Sequence, residues 1–349
     1  MSTWELLAGL PVEIESYELE GMRALVSSEF ERKTTIVRLR GRGEEGLGED
    51  VTYDAVDHEI MQAAGPVLPL AGSHTLASLA ERLSQLSLFE RPPQRDVSVR
   101  YRTWAYESAA LDLALRQAGT SLHAALDRAP RPVRFVVSLR LGEPPTMEPV
   151  RRRLELYPWL RFKLDPTSSW DEPLITQLIA TGAVDSVDFK GYYSGSIVDQ
   201  PPDPLLYGRV VEAFPRAWIE DPALTAQTEP VLAPYRDRFS WDATIHSIAD
   251  IQALPYPPRM VNVKPSRLGG LRNLLDAFDY CAERGIGNYG GGQFELGVGR
   301  GQIQYLASLF HPDAPNDVAP TGFNLPETPA GLPASPLAPQ PSATGFRWG

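Results

Sequence analysis

The sequence predicts an α/β fold: a parallel βα barrel preceded by a smaller α+β domain. Three observations carry this prediction. Along residues 159–265, short apolar strands keep ending on a charged side chain: Leu160-Arg161-Phe162-Lys163, Ser186-Val187-Asp188, Ala217-Trp218-Ile219-Glu220, Phe239-Ser240-Trp241-Asp242 and Met260-Val261-Asn262-Val263-Lys264. Successive charges lie 25, 32, 22 and 22 residues apart, and each step is long enough for one strand, one helix and two loops. The earlier part of the chain shows strands followed by helices, the pattern of an α+β unit. The length of 349 residues suits one small domain plus a barrel of somewhat over about 200 residues.

Taken in order, Val12-Glu13-Ile14-Glu15 and Thr34-Thr35-Ile36-Val37-Arg38-Leu39 alternate or concentrate β-branched residues and read as antiparallel strands. The second runs into Gly41, Gly43 and Gly46, which have the spacing of a dinucleotide fingerprint. The next residues are Gly48-Glu49-Asp50-Val51-Thr52-Tyr53, with no amphipathic helix for a pyrophosphate to cap, so the glycines read as a hairpin turn. Leu76, Leu79, Ala80 and Leu83 recur at i, i+3, i+4 and i+7 and predict a helix over 75–89. Residues 105–118 are nearly all apolar, which predicts a buried helix stopped at Gly119.

The first barrel strand is expected at 134–141. After the second strand, Ser169-Trp170-Asp171-Glu172 matches a capping box with Ser169 as the cap, opening a helix through Leu174, Ile175, Leu178 and Ile179 to Gly182. A later helix is predicted over 269–284. Residues 287–292 then form a glycine-rich turn, either an anion cradle at a helix N-terminus or a site of tight packing. The last strand is expected at 316–320. Residues 321–349 are rich in Pro, Ala, Gly and Ser without a period and read as an extended tail, packed back on the first domain through Phe346 and Trp348. The division is thus 1–128, 129–320 and 321–349.

In a parallel barrel all strand ends converge on the C-terminal mouth, where such enzymes work. The order around that rim is Lys163, Asp188, Glu220, Asp242, Lys264. Three carboxylates from adjacent strands make a hard-oxygen site suited to Mg²⁺, with two lysines flanking it.

These residues resemble the enolase superfamily, in the subgroup typified by muconate lactonizing enzyme. The family's K-x-K, Asp, Glu, Asp and Lys pattern corresponds to Arg161-Phe162-Lys163, Asp188, Glu220-Asp221-Pro222, Asp242 and Lys264; Lys264-Pro265-Ser266-Arg267-Leu268-Gly269-Gly270 and Gly290-Gly291-Gly292-Gln293-Phe294-Glu295 resemble its next two strand motifs. The resemblance implies a modified TIM barrel, (β/α)7β, with an N-terminal capping domain whose loops near 17–22 and 48–54 set specificity. It also implies Asp188, Glu220 and Asp242 as Mg²⁺ ligands, Lys163 and Lys264 as catalytic residues, and Arg161, Gly291, Gly292 and Glu295 as substrate contacts.

The departures are informative. Lys190 stands where the family often has Asn and could bind a second anionic group of the substrate. Ala243 replaces a common Glu. No His lies in 285–295, unlike the mandelate racemase subgroup, and no Asp-x-Asp lies near the eighth strand to hold a dipeptide ammonium. His246 reads as an ordinary loop histidine. The pairs Trp241-Asp242 and Lys264-Pro265 are similar to o-succinylbenzoate synthase.

The chemistry implied is removal of the proton next to a carboxylate, giving an enediolate whose charge a divalent cation stabilises. The base must be a neutral lysine, its pKa brought down by the metal, the other ammonium and burial. One active lysine gives elimination or cycloisomerisation and two give epimerisation. A lyase of o-succinylbenzoate synthase type leads, with racemase, epimerase or cycloisomerase chemistry, a non-catalytic metal-binding barrel and a carboxylate-based hydrolase as alternatives.

Composition narrows the partners. A formal net charge of −11 argues against nucleic acid or an anionic membrane, since phosphate binding needs a basic surface. The single cysteine, Cys281, sits in an apolar pattern, excludes an intramolecular disulfide and fits a reducing compartment. Residues 1–10 lack a signal-peptide pattern and no apolar run approaches about 18 residues, so a cytoplasmic protein is expected. The expected partner is a small-molecule carboxylate, and family members often form symmetric homo-oligomers.

Overall fold

The computed structural model describes residues 2–27, 30–193 and 200–349. The first domain carries β1 (Pro11–Ile14), β2 (Ser16–Ser27), β3 (Phe30–Gly41), β4 (Glu44–Asp50) and β5 (Gly72–Thr75). β2, β3 and β4 form an antiparallel sheet in sequence order, and β1 pairs with β5. The β3–β4 turn is Arg42-Gly43, with φ of 52° and 75°, the two-residue geometry that matches the twist of a hairpin. The glycine series is therefore a turn, as expected. By contrast residues 17–22, expected as a loop, lie within β2.

The helix expected at 75–89 runs Leu76–Ser84, with Thr75 as its cap accepting the Ser78 N–H at 3.1 Å. The next helix starts earlier than its apolar run, at Ser98, and ends at Gln117. Its first turns, Ser98-Val99-Arg100-Tyr101-Arg102-Thr103-Trp104, are polar in composition, yet Arg102 is buried because Asp50 accepts from its guanidinium at 2.7 Å. β4 lies directly on this helix: a Cβ on Gly48 would stand 2.0 Å from the Ala105 carbonyl oxygen.

The barrel strands are β6 (Val137–Leu139), β7 (Phe162–Leu164), β8 (Val184–Asp188), β9 (Trp218–Glu220), β10 (Phe239–Trp241), β11 (Met260–Asn262) and β12 (Gly287–Tyr289), hydrogen-bonded in sequence order. Each neighbouring pair is parallel. Asn316 bridges Phe135 and Asp317 bridges Gly291, again parallel, so this segment closes the sheet between its last and first strands. The resulting α/β architecture is the modified (β/α)7β barrel with an α+β cap. Residues Val137, Phe162, Leu164, Val187, Ile219, Phe239, Trp241 and Val261 fill its interior and the layer beneath the helices.

The helix after β7 is Glu172–Thr181 and its cap is Asp171, not Ser169: the Asp171 carboxylate accepts the Leu174 N–H at 2.9 Å, whereas the Ser169 hydroxyl donates to Glu143. A carboxylate two residues nearer the helix outcompetes the hydroxyl for the same orphan donors.

Cap and barrel are joined by buried polar contacts. Glu49 accepts the N–H groups of Leu296, Gly297 and Gly299, at the start of the helix Val298–Phe310. Glu107 accepts the N–H of Leu271, the first residue of the helix Leu271–Arg284. Arg32 donates to the carbonyls of Val51, Thr52 and Gln293. In the tail, Phe346 is buried 6.3 Å from the Trp104 ring of the first domain and 5.9 Å from that of Tyr305, and Asp112 accepts from the Phe346 N–H and from Arg347, whereas Trp348 lies on the barrel helix, 5.6 Å from the Tyr305 ring. Cys281 is buried in the helix Leu271–Arg284.

Candidate active site

The parallel register brings the strand-end charges together. Asp188 and Glu220 are the last residues of β8 and β9 and lie in register. Asp242 directly follows β10, and Lys264 follows β11 by two residues. Lys163 projects from β7. All five are buried.

The Lys163 ammonium is 3.0 Å from Asp188 Oδ2 and 3.7 Å from Asp317, and it donates a short hydrogen bond to Glu220 Oε1. Lys264 donates to Asp242 Oδ2 at 2.8 Å, and Arg267 to Asp242 Oδ1 at 2.7 Å. The Tyr193 hydroxyl completes that shell at 3.1 Å. β7 and β11 stand four strands apart in the closed sheet, so the two lysines face each other across the mouth.

One carboxylate was not singled out by sequence. Oxygens of Asp188, Glu220 and Asp221 lie within 4.8 Å of one another, so Asp221 joins the converging set, while both oxygens of Asp242 are engaged by Lys264 and Arg267. Asp221 sits at φ 46°, and the N–H groups of Asp242 and Ala243 each donate to it at 2.8 Å. The signal was its place in Glu220-Asp221-Pro222, although no local pattern announces the left-handed backbone that turns it inward. Arg267 lies in the motif after Lys264, where the sequence alone does not reveal its pairing with Asp242.

The charges are unevenly compensated. Burial, followed by the attraction of Lys190 and Lys163 that outweighs it, leaves Asp188 below the usual carboxylate range. Asp242 is likewise held well below it, since Arg267 and Lys264 overcome the cost of burial. Burial and the neighbouring carboxylates instead push Glu220 well above that range and Asp221 up to about 7. Glu220 Oε2 is buried with no hydrogen-bond partner. Three buried carboxylates, one with an unsatisfied oxygen, form a donor set that fits a small hard cation such as Mg²⁺.

The other expected contacts divide. Lys190 is at the cluster, with its ammonium on Asp188. Arg161 is not: it pairs with Asp185 and donates to the Gly182 carbonyl at the opposite, N-terminal end of the barrel. Two residues along a strand move a side chain about 6.6 Å, enough to carry Arg161 away from the mouth that Lys163 reaches.

Glu295 turns back on its own loop, accepting the Gln293 N–H at 2.6 Å and pairing with Arg300 at 3.1 Å. Gly291 and Gly292 provide clearance. A Cβ on Gly291 would stand 2.7 Å from Lys264 Cε, and one on Gly292 2.3 Å from the Glu295 carboxylate. The helix N-terminus that could have cradled a substrate anion is filled by Glu49. Both segments expected to set specificity reach the barrel lip: the Tyr53 hydroxyl donates to Gln293 Oε1 at 2.7 Å, and the Met22 sulfur, at the end of 17–22, lies where a Cβ on Gly297 would stand only 2.8 Å away. His246 remains a loop residue, its ring nitrogen 3.2 Å from the Thr244 carbonyl.

Comparison with known proteins fits this architecture. The chain belongs to the family described as domain of unknown function DUF8230, matching its N-terminal domain over residues 5–125 and its C-terminal domain over residues 129–325. It is 29% identical over 228 residues to an o-succinylbenzoate synthase of Geobacillus stearothermophilus, a match covering 62% of this chain and 58% of that relative. The chain thus spans somewhat over half the length of that relative. Its fold is that of solved enolase superfamily proteins: a member from Listeria innocua Clip11262 aligns with a TM-score of 0.63 at 19% identity, covering 88% of this chain and 86% of that one. A dipeptide epimerase from Methylococcus capsulatus, complexed with Mg ion, aligns with a TM-score of 0.68 at 20% identity, covering 95% and 99%. No helix among the described residues is long and apolar enough to cross a membrane.

Proposed function

We propose that this chain is a Mg²⁺-dependent enzyme that removes the α-proton of a small carboxylate substrate, with dehydration of o-succinylbenzoate synthase type as the outcome. The observation that carries the reading is the pair of buried lysines, Lys163 and Lys264, facing each other over a buried carboxylate cluster. Such a pair brackets a substrate carbon from two sides, the arrangement that proton transfer requires.

Asp188 and Glu220 would hold the cation, with Asp221 in the same cluster of oxygens and Asp242, the third expected ligand, engaged by Lys264 and Arg267. When bound, the cation supplies positive charge against the second negative charge that α-proton removal puts on the substrate carboxylate. The lysine that is neutral accepts the proton and, as an ammonium, returns it to the departing hydroxyl, so that water leaves and a C=C bond forms. The opposite lysine stays cationic and faces the developing charge. Arg267 and Tyr193 hold Asp242, and through it fix Lys264. The Gln293, Tyr53 and Tyr101 side chains line the lip where the distal part of a substrate would lie.

The o-succinylbenzoate synthase relative supports the lyase outcome, and the Mg ion of the epimerase neighbour supports the metal. Two facing lysines also permit proton removal on one face and return on the other, so epimerisation is the second reading.

The test is incubation with Mg²⁺ in D₂O against o-succinylbenzoate precursors, N-acylamino acids, dipeptides and acid sugars, with products read by mass spectrometry and NMR. The expected result is metal-dependent α-deuterium exchange with loss of water, abolished by Lys163→Ala and by Lys264→Ala. Inversion without loss of water would select the epimerase reading. Exchange that persists in both variants would overturn the assignment of the lysines.

A further inference from the structure

A third lysine enters the carboxylate cluster, and the proton transfer described above does not use it. Lys190 lies two residues after Asp188 in a left-handed turn with φ 54°, a conformation that a residue with a Cβ adopts only when its surroundings impose it. Here Gly191 donates its N–H to the Asp221 carbonyl at 2.9 Å, tying the turn to the next strand end. The turn folds Lys190 back over its own strand, so that its N–H, at 3.1 Å, and its ammonium both bind the Asp188 carboxylate.

A second carboxylate stands beside it. Asp165, just past the end of β7, has its Oδ1 3.8 Å from the Lys190 ammonium, and that oxygen is buried with no hydrogen-bond partner. One ammonium thus lies between two buried carboxylates and satisfies one of them. The Tyr193 ring, its centroid 5.2 Å from the ammonium, flanks the same space.

We infer that Lys190 is a resident counter-cation of the metal site: it holds Asp188 when no divalent cation is bound, and transfers its ammonium to Asp165 when one takes Asp188. The inference rests on the Mg²⁺ site proposed above, but it concerns affinity and not the reaction. An ammonium hydrogen-bonded to Asp188 competes with a cation for the same oxygens and repels it. Cation binding must break that hydrogen bond, and the unsatisfied Asp165 oxygen offers the ammonium a replacement within a shift of about 1 Å, from 3.8 Å to the usual N–H···O distance of about 2.8 Å. The site therefore binds its metal more weakly than bare carboxylates would, and stays charge-compensated without it.

The experiment is titration of the full chain with Mg²⁺, by calorimetry and by intrinsic tryptophan fluorescence, for the wild type, Lys190→Gln, Asp165→Asn and the double variant, with folding checked by circular dichroism. Lys190→Gln is expected to bind Mg²⁺ at least tenfold more tightly. Asp165→Asn is expected to bind at least threefold more weakly, and this loss is expected to shrink in the Lys190→Gln background, because Asp165 acts through the lysine. Equal or weaker binding by Lys190→Gln overturns the inference and leaves the metal site standing. A loss on Asp165→Asn that is the same in both backgrounds overturns the role of Asp165 as acceptor. Absence of Mg²⁺ binding in all four proteins overturns the metal reading and this inference with it.

Discussion

At the scale of single residues, the site depends on space as much as on charge. Gly291 borders Lys264 so closely that an added methyl group would displace Lys264 Cε and the Asn262 amide. Gly291→Ala should therefore lower kcat at least tenfold, since a displacement of about 1 Å at a reacting group can cost two orders of magnitude, while a thermal melt shows only a modest loss of stability. His311 provides a different constraint. Its Nδ1–H donates to Asn316 Oδ1 at 2.6 Å, and the Asn316 amide donates to the carbonyls of Arg134, His311 and Ala314, so a neutral histidine secures the segment that closes the barrel. Burial pushes its pKa down to about 4 from the ordinary 6.5. The unfolded chain thus binds this proton more readily than the folded one. The stabilisation is complete above about pH 6.5 and is lost as pH falls toward 4, by about 3 kcal/mol. Denaturant melts from pH 7 to 4 should show this limb, and His311→Gln should flatten it.

At the scale of elements, strands and helices were legible where pattern and packing agree. The spacing of the charged strand ends located β7 to β11, because each barrel unit repeats the same chemistry. Helix existence was legible and helix starts were not: Ser98 to Trp104 joins its helix through the buried Arg102–Asp50 pair, a contact across about 50 residues that no local period records. Arg161 and Lys163 share one face of a strand, and nothing local says that only the second reaches the mouth. Asp221 and Lys190 depend on left-handed backbone at residues with no composition signal for it, which is why the site was legible in its outline and not in its full set of charges.

The helix starts supplied by the cap also carry a prediction. Glu107 is buried at the N-terminus of the helix Leu271–Arg284, and burial, against the pull of the Leu271 N–H, raises its pKa from 4.5 to about 7. Its contribution to stability is intact below about pH 4.5 and is lost as pH rises through 7, again by about 3 kcal/mol. Glu107→Gln keeps an acceptor for Leu271 without the charge, so it should melt several degrees above the wild type at pH 8 and nearly with it at pH 4.5.

At the scale of the whole molecule, cap, barrel and tail form one polar and aromatic joint. Asp112 holds Leu47 of the cap together with Phe346 and Arg347 of the tail, and the Phe346 ring sits between Trp104 and Tyr305. Phe346→Ala should cost about 3–5 kcal/mol, the usual penalty for deleting a buried aromatic ring, read as a shift in the urea midpoint without a change in slope. Because that joint holds Leu47, directly before the 48–54 segment, the same variant should raise KM more than it lowers kcat.

The Glu49 contact has a temporal side. Its carboxylate belongs to β4, but the N–H groups that satisfy it reach 250 residues further along the chain. At a synthesis rate of about 5–20 residues per second, that partner emerges roughly 10–50 s later. Until then Glu49 lacks those donors and keeps its water, so this part of the cap is expected to lock into place only after the last barrel unit has left the ribosome. A ribosome-stalling series that releases chains at successive lengths should show protease resistance of the cap rising only once residues 296–299 are outside the exit tunnel.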